Sequence, residues 1–86
     1  MKRIQLYVVE WKDIQSDARW HEGEISKAEP ARCITCGWLI FENEEKIILA
    51  DSKAVDGEFG GLTIIPKGCV VARKRVSAKA PEGFLQ

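Results

Sequence analysis

The chain has 86 residues, 45% hydrophobic and 30% charged, which allows one folded domain with a small core. Thirteen basic and thirteen acidic residues cancel, which argues against a partner held by bulk electrostatics, such as non-specific DNA or an anionic membrane. No apolar run suits a membrane helix or a signal peptide, so we expect no membrane partner. Three cysteines make a poor disulfide framework, which indicates a reducing, cytoplasmic location.

The charges are unevenly distributed along the sequence. Residues 42–58 carry six acidic side chains against two lysines, whereas residues 67–79 carry five basic side chains and no acidic one. We therefore expect an acidic end and a basic end of the fold, a pattern that favours steering or head-to-tail association.

β-branched and aromatic residues concentrate in five segments, and no segment has the pattern of a full helix. The predicted strands are Gln5–Trp11, Cys33–Glu42, Ile47–Asp51, Leu62–Ile65 and Cys69–Val76. A polar connection at 43–45 predicts a hairpin, and Pro66-Lys67-Gly68 predicts a tight break because proline cannot donate to the sheet. Residues 12–30 predict a long loop in which Trp20 is the one large apolar anchor.

This order of elements predicts an all-β fold, a small five-stranded SH3-like barrel with a long first loop. A five-stranded oligonucleotide-binding barrel is the alternative. The domain is predicted to span residues 1–77, with a C-terminal tail at residues 78–86. Because several strands are apolar on both faces, which is more than one small core can bury, we expect a homo-oligomer.

The cysteines are candidates for metal or redox chemistry. Cys33 and Cys36 have the spacing of half a zinc site, which only Cys69 and His21 could complete. A redox dithiol favours a helix N-terminus, whereas this pair precedes a strand. We therefore predict buried, inert thiols, with no metal and no cofactor.

Enzymatic motifs are missing from the sequence, which has a single histidine, no nucleophile elbow and no phosphate-binding glycine loop. The acidic residues Glu42, Glu44 and Glu45 are predicted to form a solvated turn. We therefore expect a protein that is not an enzyme, and binding is the class of function that remains.

Five short motifs occur in an order that resembles a known group of proteins. They are Val-Glu-Trp-Lys-Asp at 9–13, Trp20, Thr-Cys-Gly-Trp-Leu at 35–39, Ile-Ile-Leu-Ala at 47–50 and Ile-Pro-Lys-Gly-Cys-Val at 65–70. The chain resembles a family of short SH3-like proteins encoded by phages and prophages, and it departs from the family's pattern at Cys36, where valine is usual. The resemblance implies a phage setting, in which some small proteins inhibit host defence by sequestering nucleotide immune signals.

The first loop carries the main candidate ligand-binding residues, Arg19, Trp20 and His21. Aromatic planes stack on bases, and guanidinium groups bind phosphates. In SH3-like barrels the first loop and the turn before the last strand border the usual ligand surface, so we expect these residues and Trp11 to approach Lys67. The alternative is that Trp11 and Trp38 belong to the core, which leaves only Trp20 for binding.

Arg32 and Arg73 are further candidates for binding an anion. Arg73 and Arg75 share one face of the last predicted strand and could follow a phosphate backbone, as in Sm-like barrels. The alternative, which we prefer, is that the charges of residues 73–75 protect an edge strand from aggregation.

Together these features predict a non-catalytic, phage-type protein that sequesters a small anionic, nucleotide-derived host signal in the host cytosol. The first alternative is an interaction module or inhibitor that binds a host protein. The second alternative is a single-stranded nucleic-acid binder, whose affinity falls steeply with salt.

Overall fold

The computed structural model describes residues 4–77, and the predicted tail at 78–86 lies outside the described residues. The five strands are β1 (Gln5–Asp13), β2 (Ala31–Glu42), β3 (Lys46–Lys53), β4 (Phe59–Pro66) and β5 (Val70–Val76). Short 3₁₀ turns lie at Ile25–Lys27 and Lys67–Cys69. Within residues 4–77 there is no helix long and apolar enough to cross a bilayer.

All five strands belong to one antiparallel sheet with the order β4-β3-β2-β1-β5. The first four strands follow one another as a meander, and β5 returns to pair with β1. Among the described residues, hydrogen bonds do not close the sheet, because β4 and β5 each pair with only one neighbour there. The predicted all-β fold, a small SH3-like barrel with a long first loop, is confirmed.

The strands differ from their predicted bounds mainly at their ends. Four of them are longer than predicted, because the backbone ladder continues through polar residues and glycines, as in the pairs Asp13–Ala31 and Ser52–Gly60. β5 begins one residue later than predicted, because Cys69 belongs to the preceding 3₁₀ turn.

The core consists of four fully buried aliphatic side chains from three strands: Val9, Ile47, Leu49 and Ile65. Tyr7, Trp11, Leu39, Cys69 and Val70 are partly buried against it. Trp11 also donates a hydrogen bond from Nε1 to the Thr35 hydroxyl over 2.9 Å. Trp11 therefore packs against the core, as the alternative interpretation predicts.

The outer face of the sheet carries a second set of apolar side chains. Residues that are directly opposite in an antiparallel pair share a face, so the register places Phe41, Ile48 and Ile64 in one row. Trp38 and Leu62 lie in the neighbouring row, opposite Ala50. Trp38 is half-buried there and is not part of the core cluster. The two rows together form the apolar surplus that the sequence indicates.

The two connections near Pro66 are tied to each other. In the predicted hairpin, the Asn43 amide donates to the Lys46 carbonyl, and the Asn43 side chain accepts from two backbone amides. The Lys67 amide donates to the Glu45 carbonyl over 2.8 Å, which holds the second 3₁₀ turn against this hairpin. The chain thereby crosses from β4 to β5 at a fixed position.

Two glycines lie where a side chain would collide with a neighbouring strand. A Cβ at Gly37 would lie 3.0 Å from the Ala50 carbonyl oxygen and 3.1 Å from the Leu49 Cβ. Gly61 has a φ of +65°, and a Cβ there would overlap the Asp51 carboxyl group. The backbone conformation at Gly61 is one that other residues rarely adopt.

We expect Gly61→Ala to lower the free energy of unfolding by about 1–3 kcal/mol, because alanine is strained at positive φ and its methyl group collides with Asp51. Urea unfolding measures the change. The matched control is Gly60→Ala in the same strand, where a Cβ would meet nothing within 4 Å. Equal losses of stability in Gly61→Ala and Gly60→Ala would contradict the special role of Gly61.

Candidate ligand-binding site

The first loop, residues 14–30, is held together by contacts to one carboxylate. Asp17 accepts hydrogen bonds from the Arg19 amide (3.0 Å), Nε (3.0 Å) and Nη2 (2.8 Å). His21 Nε2 lies 3.2 Å from the Asp17 Oδ2 atom. The residues on both sides of Trp20 therefore contact Asp17, while the indole between them is fully exposed.

The Asp17 carboxyl group titrates well below the ordinary range. Its pKa is lowered to about 2, chiefly by the side-chain hydrogen bonds from Arg19 and then by the Arg19 amide. Asp17 therefore remains ionised, and able to hold Arg19 and His21, far below neutral pH.

A cavity of about 830 Å³ lies within the first loop. Arg19, Trp20 and His21 line it together with apolar side chains such as Ile25 and Pro30. It is an open concavity rather than an enclosed pocket, since every residue that lines it is exposed. Every residue from 14 to 30 is exposed, so Trp20 is not the apolar anchor that the sequence predicts. It is instead an aromatic plane available to a ligand.

Acidic side chains also border this cavity, at Asp17, Glu22, Glu24 and Glu29. Lys27 forms an ion pair with Glu24, and Arg19 with Asp17. The cavity therefore offers both hydrogen-bond acceptors and cationic donors, with acceptors in excess.

A second group of charged residues, the Glu42 cluster, lies where β2 approaches β5 and the second 3₁₀ turn. Glu42 Oε2 is 2.8 Å from Lys67 Nζ and 3.1 Å from an Arg73 nitrogen. The Arg73 guanidinium lies over the Tyr7 ring, 5.4 Å from its centroid. Glu42 thus neutralises part of the positive charge of two predicted ligand-binding residues.

The hydrogen bond from Lys67 is the main reason that the pKa of Glu42 is lowered, and Arg73 contributes further. Lowering the pKa means that the folded state favours the ionised carboxylate. Glu42 is therefore part of a bridge between strands, whereas the sequence analysis places it in a solvated turn.

The structure divides the six predicted site residues into three groups. Arg19, Trp20 and His21 line the loop cavity, and Lys67 and Arg73 belong to the Glu42 cluster. Arg32 forms an ion pair with Glu10 on the neighbouring strand. The polar contacts of residues 4–77 do not join the loop residues to Lys67. The first loop is therefore a site of its own.

The cysteine pair lies on a strand, where successive side chains point to opposite faces. Cys33 is opposite Trp11, on the core side, and Cys36 is opposite Val8, on the outer side. Three residues apart on a strand, the two thiols do not converge on one ion. Cys36 is exposed and the other two are half-buried, so the prediction of buried thiols is wrong for Cys36.

Asp17, which contacts both Arg19 and His21, is not among the site residues predicted from the sequence. An aspartate commonly accepts a hydrogen bond from the backbone amide two residues on, and Asp17 and Arg19 have that spacing. The contact of Asp17 with His21 has no comparable signal, because a spacing of four residues brings side chains together only in a helix and residues 17–21 are not helical.

Comparison with known proteins finds no matching family model, no matching curated protein and no matching solved structure. The chemistry of the loop cavity and of the Glu42 cluster therefore carries the functional inference. Of the two, the first loop offers a fully exposed aromatic plane beside an open concavity, whereas the Glu42 cluster holds two cations that already share one carboxylate.

We expect Glu42→Gln to lower the free energy of unfolding by about 1 kcal/mol at neutral pH, because both ion pairs weaken. The lowered pKa of Glu42 makes this stabilisation present above the unfolded-state pKa and lost as the pH falls through the folded-state pKa. Urea unfolding at neutral and at acidic pH measures this effect. The difference in the free energy of unfolding between Glu42→Gln and the original protein should disappear at acidic pH.

The control for this experiment is Glu44→Gln in the same hairpin. Glu44 is exposed and forms no ion pair within residues 4–77. A pH-independent loss in Glu42→Gln, or an equal loss in Glu44→Gln, would contradict the assigned bridge.

Proposed function

We propose that this protein is a non-catalytic binding protein whose first loop sequesters a small nucleotide-derived ligand. The observation that carries the proposal is the fully exposed Trp20, held between Arg19 and His21 at the edge of a cavity of about 830 Å³. A fully exposed tryptophan contributes nothing to the core, and tryptophan is enriched among the residues that dominate binding interfaces.

The aromatic plane of Trp20 suits a nucleobase. Stacking of a base on an aromatic side chain is worth about 1–3 kcal/mol and depends little on the identity of the base. The contacts of Asp17 with Arg19 and His21 flank Trp20, and because these partners are exposed they reduce the ordering cost of binding only in part.

The polar residues around Trp20 match the remaining parts of a nucleotide. The carboxylates of Glu22, Glu24 and Glu29 accept hydrogen bonds, which suits ribose hydroxyls and the amino groups of bases. Arg19 and His21 are the donors suited to a phosphate. The phosphate has to compete with Asp17 for both Arg19 and His21 and also meets the carboxylates of Glu22, Glu24 and Glu29, so we expect the base and sugar to supply most of the affinity.

Sequestration requires tight binding and no chemical step, so it is compatible with the sequence's lack of catalytic motifs. The resemblance of the motifs to those of phage proteins supports a role against a nucleotide signal of host defence. Such a role requires a protein present in the host cytosol.

A second candidate function is binding to a host protein through the same loop. The excess of carboxylates at the cavity favours this candidate, because Asp17, Glu22, Glu24 and Glu29 suit a lysine- or arginine-containing segment. Trp20 would then be the central aromatic contact of the interface.

Single-stranded nucleic-acid binding has less support from the contacts. The Arg73 guanidinium is engaged by Glu42 and by the Tyr7 ring, so its release has a cost. Arg75 lies opposite Tyr7 in the register, on the same face of β5 as Arg73.

A thermal-shift screen against cyclic dinucleotides, cyclic ADP-ribose isomers and linear nucleotides tests the proposal. A ligand at about 100 times its dissociation constant adds about 2.7 kcal/mol to the free energy of unfolding. For a domain of this size, the midpoint should rise by roughly 10–20 °C. We expect one compound class to give such a shift, and no shift from any nucleotide would contradict the proposal.

For the compound that gives the shift, we expect Trp20→Ala to weaken binding about 5- to 150-fold, the loss of one stacked base. Trp20→Phe should retain most of the affinity. The matched control is Ile14→Ala, which removes an exposed apolar side chain of the same loop outside the cavity lining. Unchanged affinity in Trp20→Ala, measured by calorimetry, would show that the ligand binds elsewhere.

A synthetic lysine- and arginine-rich peptide separates the second candidate from the first. Binding of that peptide, lost in Trp20→Ala and in Glu22→Gln, would favour a protein partner. Nucleotide binding should survive Glu22→Gln with at most a modest loss, since stacking on Trp20 is unchanged.

A further inference from the structure

The sheet has two edges, β4 and β5, and they differ in charge. β5 carries Arg73, Lys74 and Arg75 in succession. The eight residues of β4, Phe59–Pro66, include no charged side chain. Charged residues commonly protect an edge strand from pairing with another chain. The edge of β5 is protected in this way, and the edge of β4 is not.

The outer face of β4 is apolar as well as uncharged. Leu62 is 53% exposed and Ile64 is 59% exposed. The row of Phe41, Ile48 and Ile64 ends at this edge, and within residues 4–77 no strand pairs beyond it. An exposed, hydrophobic and uncharged edge is a site at which a further strand adds to a sheet.

We propose that a second copy of this chain pairs with β4, edge to edge, about a two-fold axis. The free backbone amides and carbonyls of an edge require another extended strand as the occupant. An antiparallel pairing of β4 with itself sets no like charges against each other, because β4 has none. It also brings Leu62 and Ile64 beside the same apolar residues of the second copy.

The charge pattern favours pairing of β4 with β4 of a second copy over pairing of β5 with β5. Pairing β5 with itself would oppose three basic residues to three basic residues. The uncharged edge of β4 is complementary to itself, and a two-fold axis uses the same surface on both copies.

The area of the contact sets its strength. Eight strand residues extend about 26 Å, and a sheet layer is about 10 Å thick, so an edge-to-edge contact is smaller than the roughly 800 Å² per partner of a stable complex. The dimer is therefore a weak one, which forms as the concentration rises.

Sedimentation from low micromolar to millimolar concentration tests the proposal. The average mass should rise from one chain towards two. Ile64→Lys places a charge on the uncharged edge and should keep the protein monomeric. The matched control is Val71→Lys, which adds the same charge at a residue 46% exposed on β5, and it should leave the dimer intact.

A second measurement uses the unmodified protein and does not depend on a folded variant. Hydrogen exchange of the β4 amides should slow as the concentration rises, whereas exchange in β5 should not. A monomer at all concentrations, a dimer that survives Ile64→Lys in a folded variant, or concentration-dependent protection of β5 would each overturn the proposal. None of these results bears on ligand binding by the first loop.

Discussion

Burial of four aliphatic side chains, one from β1 and three from the pair β3 and β4 on the other side of β2, is the constraint on which the rest of the structure depends. Val9 lies on β1, and the other members lie on β3 and β4, so the core forms only if the sheet curls until these strands face each other. Gly37 of β2 makes the curl possible, since a side chain there would press on the backbone of Ala50. A core this small leaves little surplus stability, so a close approach of this kind matters more than it would in a larger domain.

The curl also decides what is left outside the core. It turns the apolar side chains of one face inward and leaves Phe41, Leu62 and Ile64 outward. It brings β2 near the start of β5, where Glu42 joins Lys67 and Arg73. The outer apolar row and the Glu42 cluster are therefore two results of the same geometry.

The sequence predicts the strands well because β-branched and aromatic residues mark them independently of context. It predicts their ends poorly, because end residues such as Asp13 are held by the ladder and carry no such signal. The exposure of Trp20 is not predictable from hydrophobicity, since that measure assigns a tryptophan to the interior. Nor does the spacing of Cys33 and Cys36 show that a strand separates them onto opposite faces, until the register is known.

The first loop contributes nothing to the core, since all of its residues are exposed, yet Asp17 gives its Arg19–His21 segment a defined arrangement. A carboxylate that orders a binding segment also competes for the cations that the segment offers. Arg19 is engaged by Asp17 through two nitrogens of its side chain, so an incoming anion gains only the difference between the two partners. Trp20 meets no such competition within the loop, because its indole faces solvent. The affinity of the proposed nucleotide ligand must then come mainly from stacking and apolar contact, with charge selecting among ligands that already stack.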